Sequence, residues 1–319
     1  GPSRRGVLPQ LKAQHSLNWS DFSAGLRLLA SGFFRKCAVA DLCGRYVNVV
    51  FEDAAHADAL SIMIAGALFC IQMYCDFAGY SEIAAGSARL MGIRLMRNFD
   101  RPYLSQSYSE FFRRWHISLS RWFTNYLYIP LGGNRKGPVK RVINTLIVFS
   151  LCGLWHGANW TYVIWGLYAA FFVSVEGLLY RPACRLIRAR GWDMSRPEVV
   201  LGRRVMMFLI FLPAALFFRA ESVSQIGVLL SGLVHGPWSL DAAFSFMGLS
   251  SFSLVQLGLT LAAMAEIYRF GLYDWEPAAT AAESARRQTS FVYLLLIIAL
   301  SWLALLSTKD AAGFAYFQF

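Results

Sequence analysis

Residues 142 to 180 read VINTLIVFSLCGLWHGANWTYVIWGLYAAFFVSVEGLLY, and this stretch decides the fold. Taken as helix at 1.5 Å per residue, its 39 residues extend about 58 Å, roughly two crossings of a 30 Å hydrocarbon core. Between Arg141 and Arg181 the only formal charge is Glu176. The break falls at WHGANW, where Gly153 and Gly157 flank His156. With 14 residues between Arg141 and His156, a first helix carries the imidazole about 21 Å from the basic boundary, inside the apolar layer. Irregular backbone at that depth is tolerated only where protein or a water-filled cavity covers it. A polar ring there is either packed and satisfied or functional.

The whole chain has the same character. Of 319 residues, 56% are hydrophobic, 15% aromatic and only 15% charged, against about 45–50% apolar and about 25% charged in an average soluble domain. The expected fold is all-α: a polytopic transmembrane helical bundle. The net charge of +11 does not point to nucleic acid, because the basic residues fall in the breaks between apolar runs, as membrane orientation by Lys and Arg requires. Six cysteines show no zinc spacing and lie mostly in apolar segments, which reads as buried free thiols with no metal site.

Outward from 142–180, the pattern predicts an amphipathic or partly embedded helix over 21–52, one crossing over 59–85, and interfacial structure rich in Arg, Trp and Tyr over 86–141. A turn is expected at LGGNRKGP, 131–138. Further crossings are expected over 205–218, 254–268 and 291–306. Residues 220–268 contain no Lys or Arg, so the loop around His235, Gly236 and Pro237 should face outward.

Three places carry chemistry. If FFRRWHISLSRWF (111–123) is one helix, Arg113, His116 and Ser120 share a face opposite Trp115, Leu119 and Trp122. The histidine then lines a polar channel or touches lipid headgroups. In MYCDFAGYSE (73–82), Gln72, Asp76 and Tyr80 stack at intervals of four, and Asp76 is an intramembrane acid that needs a partner, with the nearby arginines as candidates, in a structural bridge or in the site. His156 is suited to act as a neutral base that takes a proton from a hydroxyl. The chain has no GxSxG elbow, Walker motif or HExxH, so serine hydrolase, NTPase and zincin chemistry are unsupported.

The runs CDFAGYSEIAAGSARLMGIRL, NFDRPYLSQSYSEFFRRWHISLSRWFTNYLYIPLGGNR, GLWHGANWTYVIWGLYAAF, FFRAES and the terminal YFQF resemble the membrane-bound O-acyltransferase (MBOAT) family. Within it they are similar to the bacterial branch that holds the alginate O-acetylation membrane protein and the membrane component of teichoic acid D-alanylation. The resemblance implies a single membrane domain over 1–319, with interfacial and re-entrant helices around a central tunnel, in the bacterial inner membrane. It implies O-acetyl transfer from a cytoplasmic thioester donor, acetyl-CoA or an acyl carrier protein, towards hydroxyls of an extracytoplasmic polysaccharide. No tightly bound cofactor is expected, and the expected partners are membrane lipid, the donor and an extracytoplasmic acetyltransferase.

The family's essential histidine matches His156, and its second recurrent histidine matches His116. Arg113, Arg114, Asn125, Tyr128 and Asn134 would shape the donor entrance. Asp76, Tyr80, Trp115, Trp155 and Trp165 complete the expected donor- and substrate-contacting set. GPSRRGVLPQL resembles a stretch that follows several helices in family members, so the chain corresponds to the C-terminal two thirds of a member. From the residues alone, a transporter or flippase, or a noncatalytic scaffold of a polysaccharide-modifying complex, stays open.

Overall fold

The structure, a computed structural model, describes residues 7–12, 18–191 and 193–270. Every regular element among them is helical. In chain order the α-helices are α1 (Val7–Lys12), α2 (Trp19–Phe33), α3 (Asp41–Glu52), α4 (Ala59–Leu90), α5 (Tyr108–Arg114), α6 (Ile117–Phe123), α7 (Gly137–His156), α8 (Trp160–Ala189), α9 (Pro197–Arg219), α10 (Val223–His235), α11 (Leu240–Phe246) and α12 (Ser251–Phe270). Wider π-helical turns join α2 to α3 over Phe34–Ala40 and follow α6 over Thr124–Tyr128.

Among the described residues, four segments are long and apolar enough to cross a membrane: Ala59–Leu90, Gly137–His156, Trp160–Tyr180 and Pro197–Arg219. The two passes expected in 142–180 are therefore present, separated by residues 157–159. The expected turn at 131–138 is seen over 131–136 and runs into the start of α7, with Gly132, Gly133 and Gly137 all at positive φ, where a side chain would be strained. The stretch 254–268, expected to cross, is helical throughout and lies within α12. The expected pass at 291–306 and the YFQF run lie outside the described residues.

The described residues divide into two compact units, one drawn from 7–52, 67–97 and 239–270, the other from Asp53–Gly66 and Asn98–Trp238. In the first, α2 packs on α4 through facing glycines. A β-carbon on Gly25 would come within 3.0 Å of the Gly86 carbonyl oxygen, and one on Gly32 within 2.7 Å of the Gly79 carbonyl. Where neither helix has a side chain, backbones approach closely and gain dispersion contacts along their length.

That approach brings charged groups into the same interior. Arg35, 1% exposed, meets Glu82 at 3.3 Å and donates to the Tyr74 hydroxyl at 2.8 Å, while Ser31 Oγ donates to Glu82 at 2.7 Å. Lys36 sits between Asp41 at 2.8 Å and Asp76 at 3.0 Å. Asp76 thus pairs with a lysine of the π-helical turn, where the sequence offered nearby arginines as candidates. Burial acts to lower the Lys36 ammonium, but hydrogen bonds and charge attraction from Asp41 and Asp76 outweigh it and hold the group protonated. Asp21 closes the other end of α2, bonded to Arg89 and Arg94, both at 3.0 Å.

In the second unit α7 and α8 form a tight helical hairpin. A β-carbon on Gly153 would collide with the Tyr162 carbonyl, and one on Gly166 with the Phe149 carbonyl. Asn159 closes the turn: its side chain accepts the Thr161 N–H at 3.1 Å and donates to the Glu221 carbonyl at 2.8 Å. Glu176, the lone charge of the apolar stretch, accepts the Ser109 N–H at 3.0 Å at the start of α5, where the helix dipole favours an anion.

Two stability predictions follow from these contacts. Gly153→Val or Gly166→Val should destabilise the hairpin by about 1–3 kcal/mol, the usual cost of overpacking, read as a lower unfolding midpoint in detergent. Lys36→Met should cost about 3–5 kcal/mol by removing the cation between Asp41 and Asp76, and adding Asp76→Leu should recover part of that loss in the same assay.

Candidate functional site

His156 ends α7, and its ring is walled by aromatic neighbours. Trp165 lies 5.4 Å away and Phe218 5.0 Å away, both edge-on, with Tyr162 at 6.4 Å and the adjacent Trp155 at 4.9 Å. Gly157 permits this crowding, since a β-carbon there would lie 2.6 Å from the Tyr162 ring. Trp155 also meets the His116 ring edge-on at 6.1 Å, so one indole touches both imidazoles.

His116 is positioned differently from the sequence expectation. Residues 111–123 do not form one helix: α5 ends at Arg114, Trp115 is extended, and His116 adopts the left-handed conformation at φ 43°, ψ 55° before α6 begins. Arg113, His116 and Ser120 therefore do not share a continuous helical face. The cause lies outside the segment. Residues 98–100 run alongside the gap, with the Asp100 N–H donating to the Arg114 carbonyl and the Ile117 N–H donating to the Asn98 carbonyl, each at 2.9 Å. These bonds replace the intrahelical ones lost at the break and hold a backbone conformation that costs a non-glycine residue roughly 1–2 kcal/mol.

Both histidines line one cavity of about 750 Å³ within the second unit. Its apolar wall includes Phe112, Phe123, Val148, Phe149, Trp165 and Val173. Its polar wall includes Ser109, Ser120, Thr124, Asn125, Tyr128, Thr145 and Cys152, with Asp100, Arg113 and Arg121 supplying charge. Of the expected residues, Arg113, Trp115, His116, Asn125, Tyr128, His156 and Trp165 are brought together here. Asn134 contacts the lining indirectly by accepting the Tyr128 hydroxyl. Trp155, half exposed, meets both imidazoles without lining the cavity, and Arg114 is ion-paired with Glu110 at 2.7 Å. Asp76 and Tyr80 belong to the first unit and are not part of this lining.

Sequence reasoning passed over Asn98, Asp100, Ser109, Phe112, Ser118, Phe149 and Cys152. One local signal was available: Ser107 and Glu110 form a capping pair in which Ser107 Oγ accepts the Glu110 N–H at 3.1 Å, marking the start of α5. Cys152, four residues before His156, shares its helix face. No local pattern marks Asn98, because its partners are eighteen and twenty residues away. Among the described residues no cluster of three His, Cys, Asp or Glu has a metal-binding arrangement.

Burial, helped by the nearby His156, holds the His116 imidazole down to about 3, so it is neutral at physiological pH. An unfolded chain protonates this ring below its ordinary value of 6.5. Its contribution to stability is therefore complete above 6.5 and is lost as pH falls towards 3. His116→Gln should flatten the decline of the unfolding midpoint between those two values; an unchanged slope in a detergent melting series would contradict the buried neutral state.

The geometry can be set beside known proteins. Residues 9–218 match the sequence model of the membrane-bound O-acyltransferase family. The chain is 34% identical to a probable alginate O-acetylase AlgI of Pseudomonas putida over 319 residues, covering 93% of this chain and 61% of that protein. It is 34% identical to a peptidoglycan O-acetyltransferase of Helicobacter pylori over 233 residues (72% and 42% covered). To a teichoic acid D-alanyltransferase of Bacillus subtilis it is 29% identical over 179 residues (54% and 45% covered). The chain spans about half to three fifths of the length of the alginate relatives it matches.

Proposed function

The chain belongs to the membrane-bound O-acyltransferase family, and on that premise we propose that it serves as the acyl-transferring part of a bacterial inner-membrane O-acetyltransferase acting on a cell-envelope polysaccharide. The observation that carries the reading is the shared cavity: His116 and His156, from separate elements, line one enclosure with both apolar and basic walls. The relatives named for O-acetylation of alginate and of peptidoglycan support the acetyl group and the class of acceptor.

In this reading a hydroxyl oxygen attacks the thioester carbonyl of the donor, acetyl-CoA or an acyl carrier protein. His156 takes the hydroxyl proton as the C–O bond forms and returns it to sulfur as the C–S bond breaks, leaving an ester and a free thiol. General-base help of this kind is worth about 10²–10⁴-fold. The aromatic neighbours of His156 keep water from competing for the acyl group. Arg113 and Arg121 give the cavity a positive wall suited to the phosphates that such donors carry. Handing the acyl group to an extracytoplasmic acetyltransferase fits the same scheme, with that partner's hydroxyl as the immediate acceptor.

His156→Ala should abolish polysaccharide acetylation in cells while the protein still accumulates in the membrane at normal levels. Normal ester content in that strain would sink the assignment.

A further inference from the structure

The Asn98 side chain is held by contacts that also determine where hydrogen sits on the His116 ring. Asn98 Oδ1 accepts the Ser118 N–H at 3.2 Å and the Ser118 hydroxyl at 2.9 Å, and it lies 3.3 Å from His116 Nδ1. A backbone N–H bonds only to the oxygen of an amide, so the Ser118 N–H fixes which way the Asn98 amide is turned. The Ser118 hydroxyl has a single hydrogen, committed to Oδ1 at the shorter distance. Towards His116 Nδ1, 3.3 Å away, Ser118 Oγ therefore presents a lone pair. Nδ1 faces two acceptors, and the hydrogen among the three atoms belongs to the imidazole.

The backbone reinforces this arrangement. The Ile117 N–H donates to the Asn98 carbonyl at 2.9 Å, so Asn98 grips the residue after His116 with its main chain and the ring with its amide. The left-handed φ of 43° at His116 is what brings the ring back over its own helix start to meet both groups.

We propose that Asn98, acting with Ser118, is a positioning residue that holds His116 as the Nδ1–H tautomer, leaving Nε2 as the basic nitrogen of that ring. Combined with the acyltransferase reading, on which only this last step rests, His116 accepts a hydrogen bond through Nε2 and orients a hydroxyl or thiol hydrogen. It is then not the group that donates a proton to the departing sulfur.

The test begins with the tautomer. The protein is labelled with ¹⁵N-histidine in membranes, and the His116 signals are identified among those of the five histidines by their loss in His116→Gln. A protonated Nδ1 and a bare Nε2 are expected; the reverse pattern overturns the proposal. Acetyl transfer is then compared across two variants. Asn98→Leu should mix the tautomers and lower kcat about tenfold or more with KM little changed, since only the oriented proton acceptor is lost. Asn98→Asp keeps the acceptor oxygen, so it should restore the Nδ1–H signal and most of kcat. Failure of Asn98→Asp to restore either, with the protein folded, counts against the proposal. If the unmodified protein transfers no acyl group, the acyltransferase reading fails, while the nitrogen shifts still decide the tautomer.

Discussion

The backbone contact between α7 and α8 at Gly153 and Gly166 governs the position of His156 and much of what surrounds it. No side chain separates the two helices at these points, so the hairpin closes tightly and the turn at 157–159 is short. That closure presses His156 against Trp165, Tyr162 and Phe218, and leaves Phe149 and Cys152 on the cavity side of α7. A larger residue at either glycine would shift one helix along the other, and the imidazole would move with it.

The two units solve the problem of polar groups in apolar surroundings in different ways. The first buries full charges and neutralises them in place, Arg35 against Glu82 and Lys36 against Asp41 and Asp76. Such pairs fix geometry more than they add stability, because desolvation consumes most of the attraction. In the second unit His116 is kept neutral, bonded on its Nδ1 side and placed in a cavity beside His156. A neutral imidazole can exchange a proton within a reaction cycle, which a permanently paired ion cannot do.

Much of the fold was legible because hydrophobic length is a strong and local signal. The 39-residue, largely apolar stretch around WHGANW is long enough to cross a bilayer twice, and the glycines of LGGNRKGP mark the turn before α7. The partner of a buried charge left a weaker signal. Asp76 was correctly read as a buried acid in need of a cation, but arginines are abundant nearby in the sequence, and the π-helical turn that aims Lys36 at it leaves no compositional trace.

For the candidate site the division is sharper. The sequence by itself determined an all-α membrane chain, the break at WHGANW, and two histidines of interest, because bilayer thickness and helix rise convert apolar run length directly into structure. Only the tertiary structure decided that FFRRWHISLSRWF is broken at His116 and that Asn98 and Ser118 grip its ring. It alone put His116 and His156 into one cavity and Asp76 and Tyr80 outside its lining. The physical reason is that helix propensity and periodicity are sums over neighbours in the chain, whereas residues 98–100 override them at 114–117 with hydrogen bonds made across the fold.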